Sequence, residues 1–121
     1  MIPESLFERI DGLTSAELDG LPFGAIQLDR DGTILQFNEY EANLSNRRAP
    51  DTVGRNFFRE VAPCTNVREF YGLFLEGVRR GELNETFDYR FAFRMAPRNV
   101  SVTLYYSAPT ATVWVFVQER S

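Results

Sequence analysis

An α+β domain with one antiparallel sheet is the fold this sequence predicts, and three patterns carry the prediction. Apolar residues alternate with polar ones over residues 87–93 and 100–106, the period of a half-buried strand. Phe70, Leu73, Phe74, Gly77 and Val78 instead recur at i, i+3, i+4, i+7 and i+8, the period of a helix with one buried face. Two strand-like runs before that helix and an apolar run at 113–117 after it bring the strands to five. Two strands, then helices and loops, then three strands favour one sheet with a helical layer over alternating βαβ units.

Each element has its own signal. Ser5-x-x-Glu8 and Thr14-x-x-Glu17 both have capping-box spacing, in which a hydroxyl and a carboxylate satisfy orphan backbone donors at a helix start. They predict two short helices, with Gly12 and Gly20 placed to end them. Helices this short are marginal alone, so residues 1–22 are expected to form a cap that docks on a core of residues 23–121 and can detach. Residues 23–28 and 33–37 read as strands joined by Asp29-Arg30-Asp31-Gly32, whose Asp-Gly supplies the positive φ of a tight hairpin. Residues 39–44 read as a short helix that puts Glu41 and Ser45 on one face if it extends that far. Residues 46–65, punctuated by Pro50, Gly54 and Pro63, read as irregular chain in which a pocket could be built. Gly77 is expected to let the following helix lie close to the sheet. The run 113–117, apolar on both faces, predicts a central strand covered on both sides. The aromatic face of Phe87, Tyr89, Phe91 and Phe93 should look at the helical layer, and the concavity between them is the expected ligand site.

Composition removes several functions. The 121 residues suffice for one core. Seventeen acids against 13 bases, a net charge of −4, argue against nucleic acid or an anionic membrane as partner. No apolar run approaches the roughly 18 residues of a membrane span, and acids stand where a signal peptide needs bases, so a cytoplasmic protein is expected. Histidine is absent, which excludes a Cys-His nucleophile pair, a histidine-ligated haem and an ordinary zinc site. No enzymatic activity is expected.

The single cysteine, Cys64, follows Pro63 at the end of an aromatic and apolar run, so its sulfur is presented from a stiff turn. By residue chemistry alone a free cysteine is most often a small buried hydrophobe. Its surroundings read differently. The segments L-D-G-L-P-F-G-A-I-Q-L-D, G-T-I-L-Q-F-N, G-R-N-F-F-R-E-V-A-P-C-T, E-F-Y-G and V-W-V-F-V run nearly end to end through the chain. On these segments the chain resembles the photoactive yellow proteins, small blue-light receptors with a PAS fold.

The resemblance implies a PAS fold with a central five-stranded antiparallel sheet, a helical layer and a short N-terminal helical cap. It implies a p-coumaric acid (4-hydroxycinnamic acid) chromophore in thioester linkage to Cys64. Glu41 then matches the buried acid that hydrogen-bonds the phenolic oxygen and gives up its proton in the photocycle, and Ser45 a threonine supporting that network. Arg47 matches the arginine covering the pocket, and Met95 a methionine that assists thermal recovery. Ile26, Phe57, Phe91 and Phe116 match pocket walls. Each has a plainer reading: Glu41 as a solvated helix residue, Ser45 as a helix end cap, Arg47 as a surface charge, Met95 and the aromatic stripe as core.

Phe37 stands where the family has a tyrosine that donates to the phenolate, so that donor is missing here; Tyr40 is nearby in sequence. Two other classes compete: a chromophore-free PAS-type binding or interaction domain, and a cysteine enzyme, which lacks a histidine base. The N-C-R-F-L-Q helix of flavin photoreceptors is absent. The expected partner is a separate downstream signalling protein, with the receptor a monomer or weak dimer.

Overall fold

In the computed structural model, which describes residues 2–91 and 98–120, five strands form one antiparallel sheet. They are β1 (Gly24–Leu28), β2 (Ile34–Phe37), β3 (Asn84–Phe91), β4 (Arg98–Ser107) and β5 (Thr112–Glu119), in the order β2-β1-β5-β4-β3. The last strand in sequence is thus the central one. It pairs with β1 from Gly24 opposite Val117 to Leu28 opposite Val113, and with β4 from Val100 opposite Glu119 to Ser107 opposite Thr112. Val113, Trp114, Val115, Phe116 and Val117 are all fully buried, as a run apolar on both faces requires. The β1–β2 hairpin turns at Gly32, φ +90°, with the Asp29 carboxylate accepting from the backbone N–H of Asp31 and of Thr33, both at 2.9 Å.

Strand alternation sorts the apolar side chains onto two faces. Val113, Val115 and Val117 join Ile26, Leu28, Phe57, Phe70 and Phe91 in the core under the helical layer. Trp114 and Phe116 point the other way and join Phe23, Ala25 and the cap residues Ile2, Leu6, Ile10 and Leu18. The cap consists of α1 (Glu4–Arg9), a 3₁₀ turn at Ile10–Gly12 and α2 (Ser15–Asp19). The Thr14–Glu17 capping box is present in both directions, at 2.9 and 3.1 Å. The box expected at Ser5 is absent: α1 starts at Glu4, directly after an extended Pro3, and no side chain caps it. Proline fixes φ and lacks an N–H, and with Pro3 in the N-cap place the helix begins two residues before a Ser5 cap would start it.

On the opposite face lie α3 (Glu39–Ser45), a 3₁₀ turn at Ala49–Asp51, a π turn at Phe57–Val61 and a 3₁₀ turn at Pro63–Thr65. The amphipathic helix opens as a π turn at Arg68–Gly72 and continues as α4 (Leu73–Arg80). Phe70 meets Phe87, Tyr89 and Phe91 edge-on, with ring centroids 5.4, 5.2 and 6.2 Å apart, so the aromatic face of β3 does look at this layer. A Cβ on Gly77 would lie 2.6 Å from the Leu83 side chain; the close approach is to the residue before β3. Phe93 lies outside the described residues. Among the described residues no helix is long and apolar enough to cross a membrane.

Candidate functional site

The first turn of α3 is built around Asn38. Its Oδ1 accepts from the N–H of Glu41 at 3.1 Å, the N-cap bond, and from the N–H of Ala25 on β1 at 2.9 Å. Its Nδ2 donates to the carbonyls of Leu18 at 2.8 Å and Phe23 at 3.0 Å. Asn38-x-x-Glu41 has capping-box spacing, yet the box does not close, because the N–H of Asn38 donates to the Ala25 carbonyl at 3.1 Å. The Glu41 carboxyl is released from that duty and turns inward.

There Glu41 is 3% exposed, and its Oε1 has no hydrogen-bond partner among the described residues. Burial pushes its pKa up to about 8, so the side chain is mostly neutral at pH 7. Gly24 makes the room: a Cβ there would lie 2.1 Å from Glu41 Oε1 and 3.2 Å from Glu41 Cβ. Gly24→Ala is therefore expected to destabilise the fold by about 1–3 kcal/mol and to expel the carboxyl. Denaturant unfolding and the infrared band of the protonated carboxyl at neutral pH check this; an unchanged band would refute the tight seat.

Cys64 sits in the Pro63–Thr65 turn as a half-buried free thiol packed on the core under the helical layer. The turn is pinned from both sides. Thr65 donates to the Ala62 carbonyl through its N–H at 2.9 Å and its hydroxyl at 2.6 Å. The Tyr89 hydroxyl, from β3, donates to the carbonyl of Cys64 itself. Burial raises the Tyr89 pKa, with the Cys64 and Glu69 side chains adding to it, so the phenol stays a donor. Before the turn, Asn56 caps the π turn by accepting from the N–H of Phe58 and of Arg59, both at 3.0 Å, which fixes Phe57 and Phe58 in the core.

The structure gathers most of the expected residues. Ile26, Phe37, Phe57 and Phe91 share one apolar cluster with Cys64, and Ala42 and Leu44, which flank the Glu41 turn, belong to it too. Phe116 does not: it lies on the cap face, parallel to Trp114 and edge-on to Phe23, because β5 places residue 116 on the opposite side from Val115 and Val117. Phe116 is therefore no wall of this site. Ser45 donates its hydroxyl to the Glu41 backbone carbonyl one turn back, at 2.7 Å, and does not extend a network from the carboxyl. Arg47 is exposed but reaches the Val61 carbonyl at 2.7 Å, spanning from the end of α3 to the segment that leads into Cys64. Met95 lies outside the described residues. Tyr40 cannot replace the missing donor, since its hydroxyl is engaged by Glu119 Oε1 at 3.1 Å.

Three residues escaped the sequence reading. Asn38 carried a usable signal, an asparagine directly before a helix with an acid three residues on. Gly24 and Tyr89 carried none, because their roles are contacts across elements. Together the site offers a nucleophile-bearing turn, an apolar wall and one buried acid, mostly neutral at pH 7, whose Oε1 has no partner among the described residues.

The PAS fold family model matches residues 12–120. The chain is 46% identical over 103 residues to the photoactive yellow protein of Rhodothalassium salexigens, covering 85% of this chain and 82% of that one. It is 41% identical over 115 residues to the photoactive yellow protein of Halochromatium salexigens, covering 95% and 92%. It superposes with a TM-score of 0.90 and 44% identity on the photoactive yellow protein domain of the sensor histidine kinase Ppr from Rhodospirillum centenum, covering 93% of this chain and 99% of that one.

Proposed function

The chain belongs to the photoactive yellow protein family, photoreceptors and not enzymes, and from that premise we propose that Cys64 carries a 4-hydroxycinnamoyl group as a thioester and that Glu41 is its buried proton donor. The observation that carries the proposal is the carboxyl of Glu41, kept mostly neutral at pH 7 by burial and with its Oε1 unpartnered among the described residues, beside the core on which Cys64 packs. The residues fit an aromatic ligand with a phenolic end: the walls Ile26, Phe37, Phe57 and Phe91 are apolar, and the orphaned Oε1 calls for a polar partner. When bound, the group supplies blue-light absorption and a double bond that isomerises from trans to cis.

The protein's part is to hold and move a proton. A phenolate in an apolar pocket is costly unless donors reach it, and Glu41 is a donor only while protonated, which burial favours. Once its proton is given up, Glu41 becomes a carboxylate with nothing to pair it, costing several kcal/mol. That cost falls on a residue whose N–H hangs on Asn38, the same side chain that holds the cap through Leu18 and the chain directly after it through Phe23. Cap release is the outcome, and it changes the surface offered to a separate partner. Arg47 covers the pocket from outside. Cytoplasmic placement is part of the same proposal, consistent with a lone free cysteine.

Phe37→Tyr restores a donor next to the site. A hydrogen bond to a charged group contributes about 1.5–3 kcal/mol, or about one to two pH units. The variant is expected to ionise its chromophore at lower pH by that amount and to shift the phenolate band to the blue. A visible pH titration with unchanged midpoint and band position would remove the argument.

The deciding experiment is intact mass and a visible spectrum after mixing the purified protein with activated 4-hydroxycinnamic acid, followed by a blue flash. One acyl addition, lost in Cys64→Ala, with a band that bleaches and recovers in the dark, supports the receptor. Attachment without bleaching defeats the role given to Glu41. No attachment makes this a chromophore-free PAS binding domain.

A further inference from the structure

The face of the sheet that the cap covers has a chemistry of its own. Leu6 and Ile10 are buried there, and Phe7 stacks on Tyr105 with centroids 4.5 Å apart and tilts onto Phe116 at 5.9 Å. One residue after Ile10, the Asp11 carboxylate collects donors from the β4–β5 corner. Oδ1 accepts from Trp114 Nε1 at 3.0 Å and from the Thr110 hydroxyl at 3.3 Å, and Oδ2 accepts from the Ser107 hydroxyl. Trp114 and Ser107 are both buried, at 0% and 1% exposure. The seat therefore reads a helix with apolar anchors at i, i+1 and i+4 and a carboxylate at i+5.

The cap does not fill this face. Beyond Phe7 a groove of about 790 Å³ continues between Ile2, Pro3 and Phe7 on one side and Thr86, Ser101 and Thr103 on the other. A helix longer than the six residues of α1 would occupy both the seat and the groove.

We propose that this seat, once the cap has left it, is the docking surface for an amphipathic helix of a partner protein that carries a carboxylate directly after its last apolar anchor, as the cap does at Leu6, Phe7, Ile10 and Asp11. The proposal rests on the reading above that the cap detaches. An open seat has its donors wetted by water. A partner helix without the carboxylate would expel that water and bury the Trp114 and Ser107 donors unmatched, and the cost of unmatched donors selects the acidic helix. The extra reach into the groove lets the partner outcompete the shorter cap.

The test separates the surface from the light reading. A labelled peptide of residues 2–21 and its Asp11→Ala counterpart are titrated into the full-length Ile10→Ala and Leu6→Ala/Ile10→Ala proteins, in which amide exchange verifies that the cap is loosened. Anisotropy reports binding, and quenching of Trp114, the one tryptophan of the chain, places it on the seat. The expected result is binding at least about tenfold tighter than to the wild-type protein in the dark, roughly tenfold weaker for the Asp11→Ala peptide. That difference should vanish in receivers that also carry Ser107→Ala and Thr110→Val. No binding to a receiver whose cap exchanges freely, or equal binding of both peptides, overturns the proposal. Dimers of the loosened variants by light scattering would assign the seat to a second copy and also overturn it. If binding is as expected but illumination of the acyl-loaded wild type leaves exchange in residues 2–21 unchanged, the surface stands and light-driven release is what fails.

Discussion

Glu41→Gln is expected to abolish a fall in stability of roughly 5 kcal/mol that the unloaded wild-type protein shows between about pH 4.5 and about pH 8. The folded-state pKa of Glu41 is raised by burial to about 8 from the ordinary 4.5. Between those values the native state keeps a proton that the unfolded chain has released, so each step up in pH favours unfolding. The contribution is therefore fully present below about pH 4.5 and gone above about pH 8. Glutamine keeps the volume, cannot ionise and removes the slope. It also places two amide donors where only a carboxyl oxygen lacked a partner, costing about 1–3 kcal/mol at every pH. The two stability curves should cross, wild type above at pH 5 and the variant above at pH 9. Urea midpoints across that range measure the difference, from which exposed carboxylates such as Glu17 and Glu76 cancel. A flat difference would mean that Glu41 is already ionised or solvated in the fold. In the acyl-loaded protein the same variant has no proton to give, so the rise in amide exchange across residues 2–21 after illumination should shrink.

Removing Asn38 should be nearly as costly. Asn38→Ala deletes the N-cap of α3, worth about 0.5–2 kcal/mol. It also strips partners from the Ala25 N–H and the carbonyls of Leu18 and Phe23 in a place where the asparagine is only 2% exposed. A total loss of about 3–5 kcal/mol follows, large against the 5–15 kcal/mol of a typical domain. The melting temperature should fall by about 10–20 °C. The loss should be uneven, because one of the four bonds holds the cap through Leu18 and a second fixes Phe23 directly after it: exchange in residues 2–21 should accelerate far more than in β4 and β5. Uniform loosening, or a loss below about 1 kcal/mol, would show that Asn38 is not the tie between the cap and Glu41.

Where a residue's role is set by its own neighbours in the chain, the sequence reading held at every point but Ser5. The run 113–117, apolar on both faces, predicted a central strand, and it is one. Thr14 and Glu17 close their box because both partners lie within one helical turn, and Gly32 takes the positive φ that the Asp-Gly turn demands. The reading failed at Ser5, where the helix starts two residues early with Pro3 as its N-cap, and at Phe116, where a match of position said nothing about which side of β5 it faced. Glu41 shows both limits at once. Its place in the first turn of α3 was legible, and its family resemblance marked it as the acid of interest.

What the sequence by itself determined is the α+β order of elements, the central strand and the stiff turn that presents Cys64, since periodicity, proline and glycine act locally. What only the tertiary structure decided is that burial favours the neutral form of Glu41 and that its Oε1 lacks a partner among the described residues. That depends on the Ala25 carbonyl taking the Asn38 N–H, on a missing side chain at Gly24 and on the burial of this face of α3, contributions that β1 and α3 make to each other across 13 or more residues of chain. Desolvation is a property of everything that surrounds a group, and no spacing along the chain encodes it.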